Sequence, residues 1–264
     1  MGKTIGIVSL KGGVGKTTMV TALAGAFFRL GKKVLIVDGN LSMPNLGLHL
    51  NIIDPKTTVH DVLNKEAGVK EAIHPYPGFD ILPASLFTNA KVNPFLLKNN
   101  LREIKRKYDV IVIDSSPALN DETLAVMLAS DEIFVVSTPD HPTMSTSLKA
   151  AKIAKQRGTP ISGIILNKVH KKKFELPLKT IENTLEMPIL AVVPYDTNVL
   201  KSLSFMEPFT IHNPFSEGSE EVMKFAAMLV GEKYSGRSFM NFFRTIVPAK
   251  QDINREIFYE GFFK

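Results

Sequence analysis

One stretch constrains this chain more than any other: Ser9-Leu10-Lys11-Gly12-Gly13-Val14-Gly15-Lys16-Thr17-Thr18, set between a β-type apolar run (Ile5, Ile7, Val8) and a helical one (Val20, Leu23, Ala24, Phe27). A strand that turns through glycines directly into a helix presents successive backbone N–H groups at a helix N-terminus, where partial positive charge favours phosphate. Gly12, Gly13 and Gly15 carry no Cβ to hold an anion away from the backbone. In this setting Lys16 is expected to reach the β- and γ-phosphates and the Thr17 hydroxyl to bind Mg²⁺. The pattern G-x-x-x-x-G-K-[ST] is not met in full, because Leu10 stands at its first glycine and a second lysine, Lys11, sits inside the loop.

With that second lysine the loop resembles the deviant Walker A ATPases, the MinD/ParA group, whose loop reads K-G-G-x-G-K-[ST]. The resemblance implies a P-loop NTPase of the α/β class: a doubly wound, mostly parallel sheet with helices on both faces, followed here by a C-terminal helical tail. It implies ATP and Mg²⁺ as cofactors, with Gly12, Gly13, Val14, Gly15, Lys16, Thr17 and Thr18 around the phosphates. It also implies a homodimer formed with ATP, in which Lys11 crosses to the nucleotide of the partner subunit. Relatives that combine this loop with cysteines for a cluster or zinc are excluded, since the chain has no cysteine.

The other motifs fall at the ends of apolar strands. Val34 to Val37 is apolar without alternation, as in a strand buried on both faces, and ends at Asp38. Tyr108 to Asp114 has the form of a Walker B strand, so Asp114 joins Thr17 and Asp38 as the expected Mg²⁺ set. Asp38 to Leu46 resembles the family's switch I, with Asn40 where the family has the aspartate that positions the attacking water. An amide orients a water but cannot take its proton, so slow hydrolysis is expected. The chain is then either a naturally slow ATPase or a variant made to trap the ATP state, and the intact neighbouring motifs favour the second. Ser115-Ser116-Pro117-Ala118 resembles switch II, with one extra serine and no glycine behind Ala118. Asp140 matches the family's acidic residue at the dimer interface. Asn167 takes the place of the adenine-reading asparagine, and Pro194 and Asp196 that of the second adenine-contacting segment, which implies ATP rather than GTP. His60 lies in a helix predicted over 57–66 behind Thr57 and Thr58, and reads as a surface or capping histidine.

At 264 residues the chain suits one large α/β domain, expected at 1–232, with a tail at 233–264. In the tail, Phe239, Phe242, Phe243, Ile246 and Val247 follow a helical repeat flanked by Arg237 and Arg244, the composition of a helix lying in a membrane interface. Ile253, Ile257, Phe258, Phe262 and Phe263 suggest a second docking helix. The stripe and a formal net charge of +6 point to an anionic membrane surface contacted through 237–247, against packing on the domain itself or on another protein. No apolar run nears the roughly 20 residues that span a bilayer, and the N-terminus leads straight into a strand. A cytoplasmic protein, peripheral at the inner face of the cell membrane, is therefore expected. Three functions follow: a MinD-like positioning ATPase with an unknown activating protein, a ParA-type partition ATPase whose basic surface (Lys171 to Lys173) binds DNA, and an ATP-gated scaffold with vestigial hydrolysis. The tail favours the first.

Overall fold

The computed structural model describes residues 2–88, 90–158, 161–234 and 249–263. Its strands are β1 (Lys3–Val8), β2 (Val34–Gly39), β3 (His74–Tyr76), β4 (Phe79–Leu82), β5 (Val110–Ser115), β6 (Glu132–Ser137), β7 (Ile161–Val169) and β8 (Ile189–Pro194). They form one eight-stranded sheet in the order β3-β4-β2-β5-β1-β6-β7-β8. The pairings are parallel except that of β3 with β4.

The unbroken apolar runs are explained by helices on both faces. Ile5, Ile7, Ile36, Val110 and Val112 point into one core with α1 (Lys16–Arg29) and α9 (Glu217–Leu229). Their neighbours Val8, Leu35, Val37, Ile111 and Ile113 point into the opposite core with α2 (Val59–Leu63), α3 (Leu97–Ile104) and α4 (Asp121–Ala129). Under β7 and β8 a third cluster is built on α6 (Leu178–Leu185), with α5 (His141–Gln156) packed beside it. Short helices α7 (Thr197–Ser204) and α8 (Phe209–His212) lead from β8 into α9.

Register positions the chemistry. Asp38 lies opposite Asp114 in the β2–β5 pairing, and Ile7 of β1 opposite Asp114 on the other side. Both carboxylates therefore stand at the C-terminal ends of central strands, beside the loop that leaves β1.

Two expectations change in detail. The helix expected over 57–66 is reduced to α2, with the Asp61 carboxylate accepting from the Thr58 N–H at 2.7 Å as its cap. His60 is neither at the surface nor a cap; it is buried between two loops.

The second tail helix forms as α10 (Lys250–Phe263) and packs on β8 and α9. Its anchors are mostly polar. Asn254 donates to the Ile189 carbonyl at 2.8 Å and Arg255 to that of Leu190 at 2.7 Å, while the Arg255 guanidinium pairs with Glu221 at 2.9 Å. Glu182 and Glu221 accept from the N–H groups of Ile189 and Val192 at 3.0 and 2.9 Å. Phe258 is buried near Phe134, but Ile253 and Ile257 of the expected stripe are exposed. The stripe at 237–247 lies outside the described residues.

Candidate functional site

The loop between β1 and α1 owes its path to glycine at two positions. Gly13 and Gly15 have φ of +79° and +92°, which side-chain-bearing residues rarely adopt. A Cβ on Gly15 would also fall 2.4 Å from the Asn167 Nδ2. That closeness is functional geometry: Asn167 donates to the Val14 carbonyl at 2.8 Å and the neighbouring Lys168 to the Gly13 carbonyl at 2.7 Å. With these carbonyls bound from the end of β7, the loop's N–H groups are what it can offer an anion.

The loop forms one wall of a cavity of about 420 Å³, within the range of small-ligand sites. Gly12, Gly13, Val14, Gly15, Lys16, Thr17 and Thr18 line it, together with Asn40, Asn167, Pro194 and Asp196. Asp196 is fixed as the N-cap of α7, accepting from the Asn198 N–H at 2.8 Å. Met43, Asn45, His49, Pro117, Lys168, Tyr195 and, from α7, Val199, Leu200 and Leu203 complete the lining. These were not legible beforehand. Lys168 had a signal in its place beside Asn167, whereas α7 was not foreseen as a helix.

Asp38 and Asp114 lie beneath this surface, and Thr17 connects them to it: its hydroxyl donates to Asp114 Oδ2 at 2.5 Å. Asp38 accepts the N–H groups of Asn40 and Leu46, each at 3.1 Å, and of Asn45 at 3.3 Å. Burial, then the charge of Asp114, nevertheless pushes the Asp38 carboxyl up to about 7. Burial also raises Asp114, against the pull of Lys16 and the Thr17 hydroxyl. A proton or a cation beside them would relieve this cost. Among the described residues no group of three or more His, Cys, Asp or Glu could hold a metal, and the oxygen groups gathered at this point are two carboxylates and the Thr17 hydroxyl. That set suits a hard cation completing its shell with phosphate and water, and the buried Asp114 Oδ1, which has no hydrogen-bond partner, fits it.

Asn40 uses its Nδ2 to donate to the Met43 carbonyl, a contact a carboxylate cannot make, and its buried Oδ1 is without a partner. Asn45 donates to the same carbonyl at 3.0 Å. Lys11 and Asp140 are absent from the cavity lining. Lys11 Nζ instead bonds Asp140 at 3.1 Å and the Thr143 hydroxyl at 2.6 Å. Asp140 is the N-cap of α5. Partial burial works against its charge, but the hydroxyls of Thr138 and Thr143, the Thr143 N–H and Lys11 together hold its carboxyl at about 2.

The family model described as an AAA domain matches residues 2–153. An uncharacterized ATP-binding protein of Methanocaldococcus jannaschii is 37% identical over 240 residues, which cover 90% of this chain and 91% of the relative. The septum site-determining protein MinD of Thermotoga maritima is 28% identical over 269 residues, 98% of each chain. Among solved structures, the septum site-determining protein MinD of Pyrococcus horikoshii, complexed with Mg-ADP, is similar with a TM-score of 0.82 at 30% identity. That match covers 94% of this chain and 100% of the other.

The glycine geometry predicts a contrast measurable without ligand. Gly15→Ala should destabilise the free protein by about 1–3 kcal/mol in urea unfolding, from backbone strain and the displaced Asn167. Gly12→Ala, whose Cβ meets nothing within 4 Å, should leave that stability unchanged. Equal effects would show that the loop does not rest on Asn167.

Proposed function

The chain belongs to the MinD/ParA family of P-loop ATPases, and from that premise we propose that it is a MinD-like ATPase. It binds ATP with Mg²⁺, closes into a homodimer over two nucleotides, and associates reversibly with an anionic membrane to position other components, as in cell division. Lys16, Thr18 and the loop N–H groups hold the phosphates. Thr17, Asp114 and Asp38 hold Mg²⁺, which supplies charge neutralisation at the phosphates when bound. Asn167, Pro194 and Asp196 receive the adenine against the apolar wall of α7. Asn40, at the cavity wall, has no basic oxygen to take a proton from the attacking water, so hydrolysis is slow.

The observation that carries this reading is the division between the two loop lysines. Lys16 lines the cavity, while Lys11 faces out of it onto Asp140 and Thr143, as suits a residue that acts on a partner's nucleotide. Membrane association rests on the stripe at 237–247 and the net positive charge. A dimer carries two such stripes, so weak single contacts combine into firm binding. The same reading places the protein at the inner face of the cell membrane, where an activating protein would trigger release.

Lys16→Ala should abolish ATP binding, whereas Lys11→Ala should keep it and lose the ATP-dependent dimer seen by light scattering. A fully dimeric Lys11→Ala protein would remove the cross-subunit role.

Asn40→Asp should raise steady-state hydrolysis at least about tenfold with ATP affinity little changed. The Met43 carbonyl keeps its bond from Asn45 in that variant. If phosphate release stays at the parent rate, Asn40 does not limit turnover.

Co-sedimentation with anionic vesicles should require ATP and be lost in Phe242→Glu, with dimerisation retained. The point substitution discriminates better than truncation after Gly231, which would also strip α10 from β8. Binding to random duplex DNA alone would favour the ParA-type alternative.

A further inference from the structure

Hydrolysis in the reading above turns on Asn40, and the two residues behind it are gripped from outside their own loop. His60 of α2 is 4% exposed. Its Nδ1 accepts the Ser85 N–H at 3.1 Å, so Nε2 carries the ring hydrogen and donates to the Leu41 carbonyl at 3.2 Å. Glu122, in the first turn of α4, accepts the Ser42 hydroxyl at Oε1, and its Oε2 is buried without a hydrogen-bond partner. α4 begins just behind Ser116 and Pro117, and its N-cap Asn120 reaches the Ser116 hydroxyl oxygen at 3.4 Å. Leu41 and Ser42 are thereby tied to α2 on one side and to the segment following Asp114 on the other.

We propose that His60 and Glu122 are positioning residues for hydrolysis: they hold Leu41 and Ser42 so that Asn40 stays at the cavity wall. The proposal rests on the ATPase reading and adds two residues outside every motif that supports it. Only the neutral ring serves, because a second ring hydrogen on Nδ1 would confront the Ser85 N–H. The charged groups facing the ring are Asp61 of its own helix, occupied at the Thr58 cap, and Glu122 of α4. Burial keeps the ring below its usual pKa, which favours that neutral form.

The test uses the full chain and two readouts. Hydrogen exchange at one fixed pH in the absence of nucleotide, corrected for intrinsic rates, should show the bonded amides of Asn45 and Leu46 exchanging about tenfold faster in His60→Leu than in the parent. His60→Gln, which keeps one donor and one acceptor, should restore protection. In steady state, His60→Leu and Glu122→Ala should each lower kcat about tenfold with ATP affinity within about twofold of the parent. Glu122→Ala, at an exposed contact, keeps the test available if His60→Leu fails to fold. Parent-like exchange and kcat in both variants would overturn the proposal. A parent that neither binds nor hydrolyses ATP would overturn the ATPase reading instead, and this inference with it.

Discussion

Asp38 and Asp114 face each other across β2 and β5, both buried, and the rest of the site answers the cost of that arrangement. Removing two carboxylates from water is unfavourable for each, and their mutual repulsion adds to it. Thr17 and Lys16 offset the charge of Asp114 from the glycine loop. Asp38 is offset by backbone N–H groups of the segment behind Asn40. The backbone of residues 40–46 is therefore bonded directly to a group whose protonation changes near neutral pH. Whatever neutralises the pair, proton or cation, also sets how strongly that segment is held.

Much of this was legible in the sequence because each signal was local. Apolar runs without alternation mean two covered faces, and the cores on either side of the sheet divide those runs residue by residue. The glycine loop, Asn40, Asn167, Pro194 and Asp196 come together at one cavity although they leave the sheet from four strands. What was not legible depended on tertiary placement. Val199, Leu200 and Leu203 look like any short apolar repeat until α7 is folded across the mouth. His60 looks polar and exposable until two loops supply partners for both ring nitrogens.

The C-terminal helix shows the failure of periodicity in physical terms. Its apolar residues suggested which face would dock, yet Ile257 is 65% exposed while Arg255 is 6% exposed. An edge strand presents N–H and C=O groups, not methyl groups, so the face that satisfies it is polar. A buried guanidinium bonded to a carbonyl and a carboxylate is costly to place, and specific once placed.

That polar face has a consequence for how copies of the chain can meet. A sheet grows by adding a strand to an edge, which needs free backbone groups there. At β8 those groups are bound by side chains from α6, α9 and α10. At the other end β3 is three residues long and has Pro75, which donates no backbone hydrogen bond. Both ends resist polymerisation into a continuous sheet. Under the proposed function, a molecule that concentrates on a surface and pairs there reversibly would otherwise risk becoming a fibre.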